Sequence, residues 1–390
     1  MPVFDARSKK NIVFVGSWTD FPAPSNGVIT LLDNYTYFIT SDVDLLGNRL
    51  VGGSDTTIIG GSSENCSITS TGLSAGVALL TTQWTTPIRN ITFKDVDTCL
   101  SIDGSINPPL ALDWTGLNFQ NIPNIGTIST CDNWIYSKGA FLNSQGLVFT
   151  GSIGTVGIDN SIFVGSGSAG SIIALDAGLT ITRRFRAIYS SIIAFGSTIG
   201  VDANLAATIP TEGYIYDTIN FSGGGTYLSG IDELDNRSRI GNSKGVKNTA
   251  EIGNYFMLNN STQTVIASAG VPVKIAGTTT ANTINQKFTH TDNRLTYTGG
   301  LLRNFQISGT ASFTSGNNQV IGLYVSKNGT LLTNSEMYAT TSGSGRAESI
   351  HIQTILELDE NDYIEIWIEN DNSTQNITVE FLNLICKSLD

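Results

Sequence analysis

The chain has 390 residues, a formal charge of −12, 41 glycines, only 9 prolines and 14% charged residues. That length is enough for two or three domains with substantial cores. The acidic balance excludes a nucleic-acid footprint, which needs clustered Lys and Arg. With two histidines, His290 and His351, a His-based metal centre or a Ser–His triad has little to work with. The four cysteines, Cys66, Cys99, Cys131 and Cys386, lie far apart without CxxC spacing. They read as buried free thiols, with no zinc site, disulfide framework or cofactor implied.

Asn, Ser, Thr, Ile and Gly dominate, which favours strands joined by tight turns. No amphipathic helix of four turns is evident, so the expectation is an all-β protein. Residues 1–25 read as an N-terminal attachment segment, with a short apolar strand from Ile12 to Val15 and then WTDFPAPSNG, whose Pro and Gly break regular structure. The N-terminus has no apolar h-region, and no run of about twenty apolar residues follows. Synthesis in the cytosol without membrane insertion is therefore expected. Sequons such as Asn90-Ile-Thr and Asn376-Ile-Thr read as by-products of Asn- and Thr-rich turns.

Residues 26–228 are a succession of short apolar runs divided by Gly, Asn, Asp and Ser, such as VITLL, TYFIT, TTIIGG and CSITS. Strands this short find partners cheaply only when stacked coils each pair with the next. NITFKDV, GLNFQNI, GLVFTGS, NSIFVGS, SIIAFGS and TINFSGG each place apolar residues and a Phe before a polar turn. The interval from Phe93 to Phe119 recurs unchanged from Phe195 to Phe221, and that from Phe119 to Phe149 is only slightly longer. Phe163 follows Phe149 after about half that interval and is read as lying on a different strand of the same coil. This spacing predicts a right-handed parallel β-helix. A large β-sandwich with coincidental Phe spacing is the alternative, and it fits less well because Asn-Gly hairpin turns are rare here.

Residues 229–262 raise the charge density and lose the apolar runs, and read as a neck or linker. From 263 to 390 the strands lengthen, in number and length suited to an antiparallel jelly roll. In its closing strands Ile364, Ile366 and Ile368 share one face, while Tyr363, Glu365, Trp367 and Glu369 share the other. Ile321, Leu323 and Val325 alternate with Tyr324 in the same way, before a turn at Asn328-Gly329. Two such faces suggest two contacts, one with the domain's own core and one with another subunit. A single exposed Trp on a monomer is the plainer alternative.

The run DFPAPSNGVITLLDNYTYFITSDVDLLGNRLVGG resembles the opening coils of β-helical virion proteins of tailed bacteriophages. NRLTYTG (293–299), the KNGT turn (327–330) and the closing LELDENDYIEIWIEN resemble the trimeric jelly-roll heads of such fibres, which look like tumour-necrosis-factor and complement globular domains. The resemblance implies a homotrimeric structural protein of the virion, partnered by other capsid or tail proteins and meeting a host-surface glycan or receptor. It further implies that Tyr324, Tyr363 and Trp367 anchor the threefold interface.

No catalytic motif is recognised, so the chain is expected not to be an enzyme. The competing reading is a tailspike-type polysaccharide depolymerase. For it Asp95 and Asp97, two apart on one strand face and so roughly 7 Å from each other, are the catalytic candidates. Asp103, Asp113, Glu212 and Asp217 are further acids, but Asp at strand ends is turn chemistry first. Arg183, Arg184 and Arg186 form a small basic cluster without a clear acidic companion. Trp84, Trp114 and Trp134 read as core or coil-edge packing in preference to sugar platforms. A capsid decoration protein without host contact is the third reading.

Overall fold

The computed structural model describes residues 11–107, 110–203, 213–231, 238–246, 249, 251–291, 293–343 and 345–389. They fall into two compact units, one ending with residues 238–246 and the other beginning at Thr249. The chain is all-β, with 58% strand and 2% helix. Among the described residues the only helical pieces are two single 3₁₀ turns, Trp18–Asp20 and Thr333–Ser335.

The first unit is a parallel β-solenoid of about nine turns. Short apolar runs cannot bury themselves in a hairpin, so each pairs in parallel with its counterpart in the next coil. Pairing in register stacks like residues into interior ladders. One ladder runs Val43, Ile68, Phe93, Phe119, Phe141, Phe163, Ile192, Phe221, one member per coil. A second passes through Ile58, Ile88, Trp114, Tyr136 and Ile158, and a third through Ile29, Leu50, Leu80 and Leu100. Every residue in these ladders is buried. Phe119 and Phe141 meet edge to face at 5.1 Å, and Phe141 and Phe163 at 4.6 Å. Each buried ring contributes about 2–3 kcal/mol through area alone, and ring pairs add about 1 kcal/mol.

The Phe repeat does mark a ladder, but two of its members sit elsewhere than the spacing predicts. Phe163 is on the ladder, and Phe149 is the residue on another face, between Ile128 and Leu175. Phe195 leaves the interior altogether at 45% exposure. Phe141 takes the vacant rung. The coil from Phe119 to Phe141 is a short one, so the interval from Phe119 to Phe149 spans more than one coil.

The corners explain the Asn and Ser content. Asn90, Gly116, Lys138, Asn160, Tyr189, Thr218 and Asn242 all adopt positive φ at successive turns. Asn and Gly reach that left-handed conformation most easily. At Gly116 a Cβ would also lie 2.5 Å from Asn90 Oδ1. An inward Ser follows the corner residue in several coils. Ser190 Oγ accepts from the Ser161 amide at 3.1 Å and donates to the Ile188 carbonyl at 2.8 Å. Ser243 does the same for the Ile219 amide and the Gly241 carbonyl, at 3.2 and 2.9 Å. Backbone groups at the bends are thereby satisfied inside the solenoid.

The domain limits differ from the sequence expectation at both ends of the solenoid. Asn11–Val15, placed in the attachment segment of residues 1–25, pairs in parallel with Tyr35–Ile39 and is already a solenoid strand. The neck of residues 229–262 is divided between the units. Arg239–Gly241 pairs with Tyr214–Asp217 in the solenoid, and Ile252–Met257 pairs with Ile377–Ser388 in the second unit. Charged outward positions hid these strands, because a very short strand shows only one inward side chain.

The second unit, called the head below, is an antiparallel jelly roll of two sheets. One is six-stranded, in the order Thr280–Ala281, Ile252–Met257, Ile377–Ser388, Arg303–Thr314, Glu348–Leu358, with Gln263–Thr264 also on Ile377–Ser388. The other is seven-stranded, in the order Phe288–Thr291, Arg294–Tyr297, Tyr363–Asn370, Val320–Lys327, Thr330–Leu331, with Val273–Lys274 and Met337–Thr340 pairing alongside. Their inner faces pack Phe305, Ile307, Phe313, Leu323, Ile364 and Ile366 into one core.

Candidate functional site

The alternation in Tyr363–Asn370 places residues as its pattern requires. Ile364, Ile366 and Ile368 enter the core alongside Val325 and Leu323, which leaves Tyr363, Glu365, Trp367 and Glu369 on the outer face of the seven-stranded sheet. That face is built of charge. Glu365 is buried, with Arg294 Nη2 at 2.8 Å and Lys274 Nζ at 3.1 Å from Oε1. Trp367 Nε1 donates to its Oε2 at 3.0 Å. Burial alone would raise its pKa, but the hydrogen bonds from Trp367, Arg294 and Lys274 prevail and hold it below the usual carboxylate range. The Arg294 guanidinium sits 3.7 Å over the Tyr363 ring as a cation–π pair.

A second cluster forms beside it. Tyr324 Oη donates a short hydrogen bond to Glu369, and Tyr338 Oη a short one to Glu336. The two hydroxyls lie 2.9 Å apart. Burial, followed by the contact with Glu369, pushes the Tyr324 phenol well up. Gly322, opposite Glu369 in the ladder, leaves room for these groups.

The three residues expected at a threefold axis therefore lie together on one sheet but are engaged within their own chain. Tyr324 is buried, Tyr363 lies under Arg294, and Trp367 is tied to Glu365. The acids between them are the hubs of the network, and a carboxylate clamped by two cations is a tie between strands. Sequence reasoning missed Arg294, Lys274, Glu336 and Tyr338. Arg294 was within reach, because in NRLTYTG it alternates with Leu295 and Tyr297 and so must face outward.

The six-stranded sheet presents the opposite character. Along Glu348–Leu358 the outward residues are Ser349, His351, Gln353 and Ile355, and on Ile377–Ser388 they include Phe381, Asn383 and Ile385. Ile355 is 60%, Leu258 61% and Phe381 42% exposed. A shallow depression lies between Phe256, Leu258, Thr310, Ser312, Phe381 and Asn383. No Asp, Glu, Lys or Arg is among these residues; Glu357 and Lys387 stand at one end of the face and Glu380, bonded to Thr314, at the other. While Met337 and Tyr338 are exposed at the edge of the seven-stranded sheet, exposed apolar residues thus also occupy the sheet that the tyrosine and tryptophan pattern did not select. The alternation that marks it is plain in SIHIQTILEL, but its outward residues are mostly polar and Ile355 stands alone in sequence.

In the solenoid, Asp95 and Asp97 are not on one strand face. The strand Ile88–Lys94 ends before them and Thr98–Asp103 begins after them, so both belong to the turn. Asp95 takes positive φ and accepts from Asn121 Nδ2 at 2.9 Å. Asp97 accepts the Gly76 amide at 2.8 Å. Asp is comfortable in such turns and Val96 between them points inward, which bends the segment away from strand geometry. Asp103 caps the Ser105 amide, Asp113 pairs with Arg89 at 3.3 Å, and Asp217 accepts from Asn242 at 3.2 Å. Glu212 lies outside the described residues. Arg183 bonds Asp132 at 2.8 Å. Trp114 and Trp134 are core residues, whereas Trp84 is partly exposed. All four cysteines are free and buried.

No family model and no curated protein sequence matches the chain. Among solved structures it is similar to murine APRIL at pH 8.5, at 10% identity and a TM-score of 0.25, over 34% of this chain and 98% of that one. Murine APRIL at pH 5.0 gives 11% identity and 0.25 over the same shares, 34% and 98%. The Eiger TNF structure from S. frugiperda gives 10% and 0.24, over 36% of this chain and 94% of that one.

Proposed function

We propose that the chain is a homotrimeric fibre or spike of a tailed-bacteriophage virion, joined to the particle through its N-terminal region and meeting the host surface with its jelly-roll head. The copies associate through the outer face of the six-stranded head sheet. The observation that carries this is the contrast between the two sheets. A chain of net charge −12 repels its own copies. The face around Phe381, Ile385 and Ile355 keeps its charged groups, Glu357, Lys387 and Glu380, at its ends, and it offers aromatic and aliphatic anchors among hydrogen-bonding Asn, Ser and Thr. Tyr324, Tyr363 and Trp367 then stiffen the opposite sheet. In the solenoid, Asp95 and Asp97 are held in turn hydrogen bonds, which supports a structural role over glycan cleavage.

Light scattering on the full chain at micromolar concentration tests the assembly. The expected mass is three chains for the wild type, and one for the Phe381→Asp, Ile355→Asp double variant with its circular dichroism unchanged. A wild-type monomer would refute the trimer, and a trimeric double variant would refute this face. Labelling of whole virions with antibody to the head distinguishes fibre from capsid decoration by whether the head projects.

A further inference from the structure

Three corners of the solenoid column, Lys138, Tyr189 and Thr218, carry neither Asn nor Gly at positive φ, and of these only Tyr189 is aromatic. In the column of positive φ, Tyr189 places a bulky ring where Asn or Gly is at ease. The ring gains no core contact in return, since it is 62% exposed. A side chain that strains its backbone without a packing gain points to a contact made outside the chain.

The surroundings specify that contact. On one side of the corner, Tyr189 borders a recess with Asn118, Lys138, Asn160, Ile162 and Ser191. On the other side a shallow groove runs between Ile135, Asp159, Arg184, Arg186 and Ile188. Gly157 lies directly opposite Arg186 in the ladder and keeps the floor of this groove low; a Cβ there would meet Ile135 Cδ1 at 2.7 Å. Lys138 N donates to the Asp159 carbonyl and Asn160 N to the Ile188 carbonyl, so Lys138, Asn160 and Tyr189 stack one per coil. Coil spacing then separates Lys138 from Tyr189 by roughly 10 Å along the stack, a span that two or three linked sugar rings cover.

The charge is also distinctive. Arg89, Lys94 and Arg183 elsewhere on the solenoid are committed to Asp113, Asp42 and Asp132. Lys138 and Arg186 make no ion pair with any described residue. Two uncommitted cations therefore flank an exposed aromatic ring on an otherwise acidic chain. Guanidinium and ammonium groups recognise carboxylates, a phenol ring packs against the C–H face of a pyranose, and Asp159 with the amides of Asn118 and Asn160 suits hydroxyl groups. We propose that this corner of the solenoid binds an acidic oligosaccharide, with Arg186 and Lys138 on its carboxylates and Tyr189 stacked on one ring.

Calorimetric titration of the full chain with oligogalacturonate, hyaluronan and oligosialate hexasaccharides, each beside its carboxyl-reduced neutral counterpart, tests the site. At least one acidic ligand is expected to bind, about tenfold or more tightly than its neutral counterpart. Tyr189→Asn suits the corner better, so it should melt no lower than wild type while affinity falls by about tenfold. Arg186→Gln should weaken binding by a similar factor and decides the matter should Tyr189→Asn fold poorly. Absence of binding to all three acids, equal binding of the neutral forms, or affinity unchanged by both variants overturns the proposal. Binding that yields only to salt falls in the last class, because it reports diffuse attraction.

Discussion

Glu365 shows how much a single side chain can hold. Its carboxyl titrates below the usual range in the folded head, so its contribution is complete above about pH 4.3 and is lost as pH falls through its folded value. Glu365→Gln leaves Lys274 and Arg294 without their shared anion and is expected to cost roughly 2 kcal/mol at neutral pH. The variant should also lose less further stability on acidification than the wild type. Hydrogen exchange of the strand Tyr363–Asn370 across this pH range checks both, and equal acid sensitivity in the two proteins would contradict the assignment. The cysteines allow a second test at this scale. Burial pushes the Cys131 thiol up to about 12 and raises those of Cys99 and Cys386 well above their usual value. No thiol should react with Ellman's reagent at neutral pH in the folded chain, and all four should react in urea.

At the scale of elements the ladders dominate. Each coil is held mainly by its two neighbours, so a gap in one rung loosens a run of coils. Phe141→Ala removes a ring packed between Phe119 and Phe163 and should cost about 3–5 kcal/mol. Phe195→Ala, at an exposed corner, should change stability by less than about 0.5 kcal/mol. Urea unfolding of the two variants checks the contrast, and a reversed order would place Phe195 in the core. The repeat of aromatic residue and polar turn revealed that such a ladder exists, because stacking like on like leaves a period in the sequence. It did not reveal which Phe occupies which rung, because coils of unequal length shift the count while the backbone register stays in step. The spacing of Asp95 and Asp97 read instead as one strand face, although Asp favours such bends whatever the tertiary context, and the inward Val96 is what takes the segment out of strand geometry.

At the scale of the whole molecule, assembly and stability are linked. If copies meet through the head, the melting temperature should rise with protein concentration for the wild type and not for the Phe381→Asp, Ile355→Asp variant. Moderate salt should strengthen assembly, because it screens repulsion between chains of charge −12 while the contact itself contains no ion pair. Sedimentation at about 20 and 300 mM salt checks this, and weaker assembly at the higher salt would point instead to the charged sheet with Glu365 and Glu369.

By itself the sequence determined the all-β class, the stacked-coil repeat and the two-faced strands of the head, because apolar spacing and turn residues act over a few positions and leave a readable period. It also determined that the acids beside Trp367 lie on one face, since alternation along a strand is geometric. Only the tertiary structure decided that Lys274 and Arg294 converge on Glu365 from strands far away in the chain. The same holds for Tyr324, Tyr363 and Trp367. Their face was right, but whether it is bare or covered depends on which distant strands pair alongside, and that is settled by packing of the two sheets together.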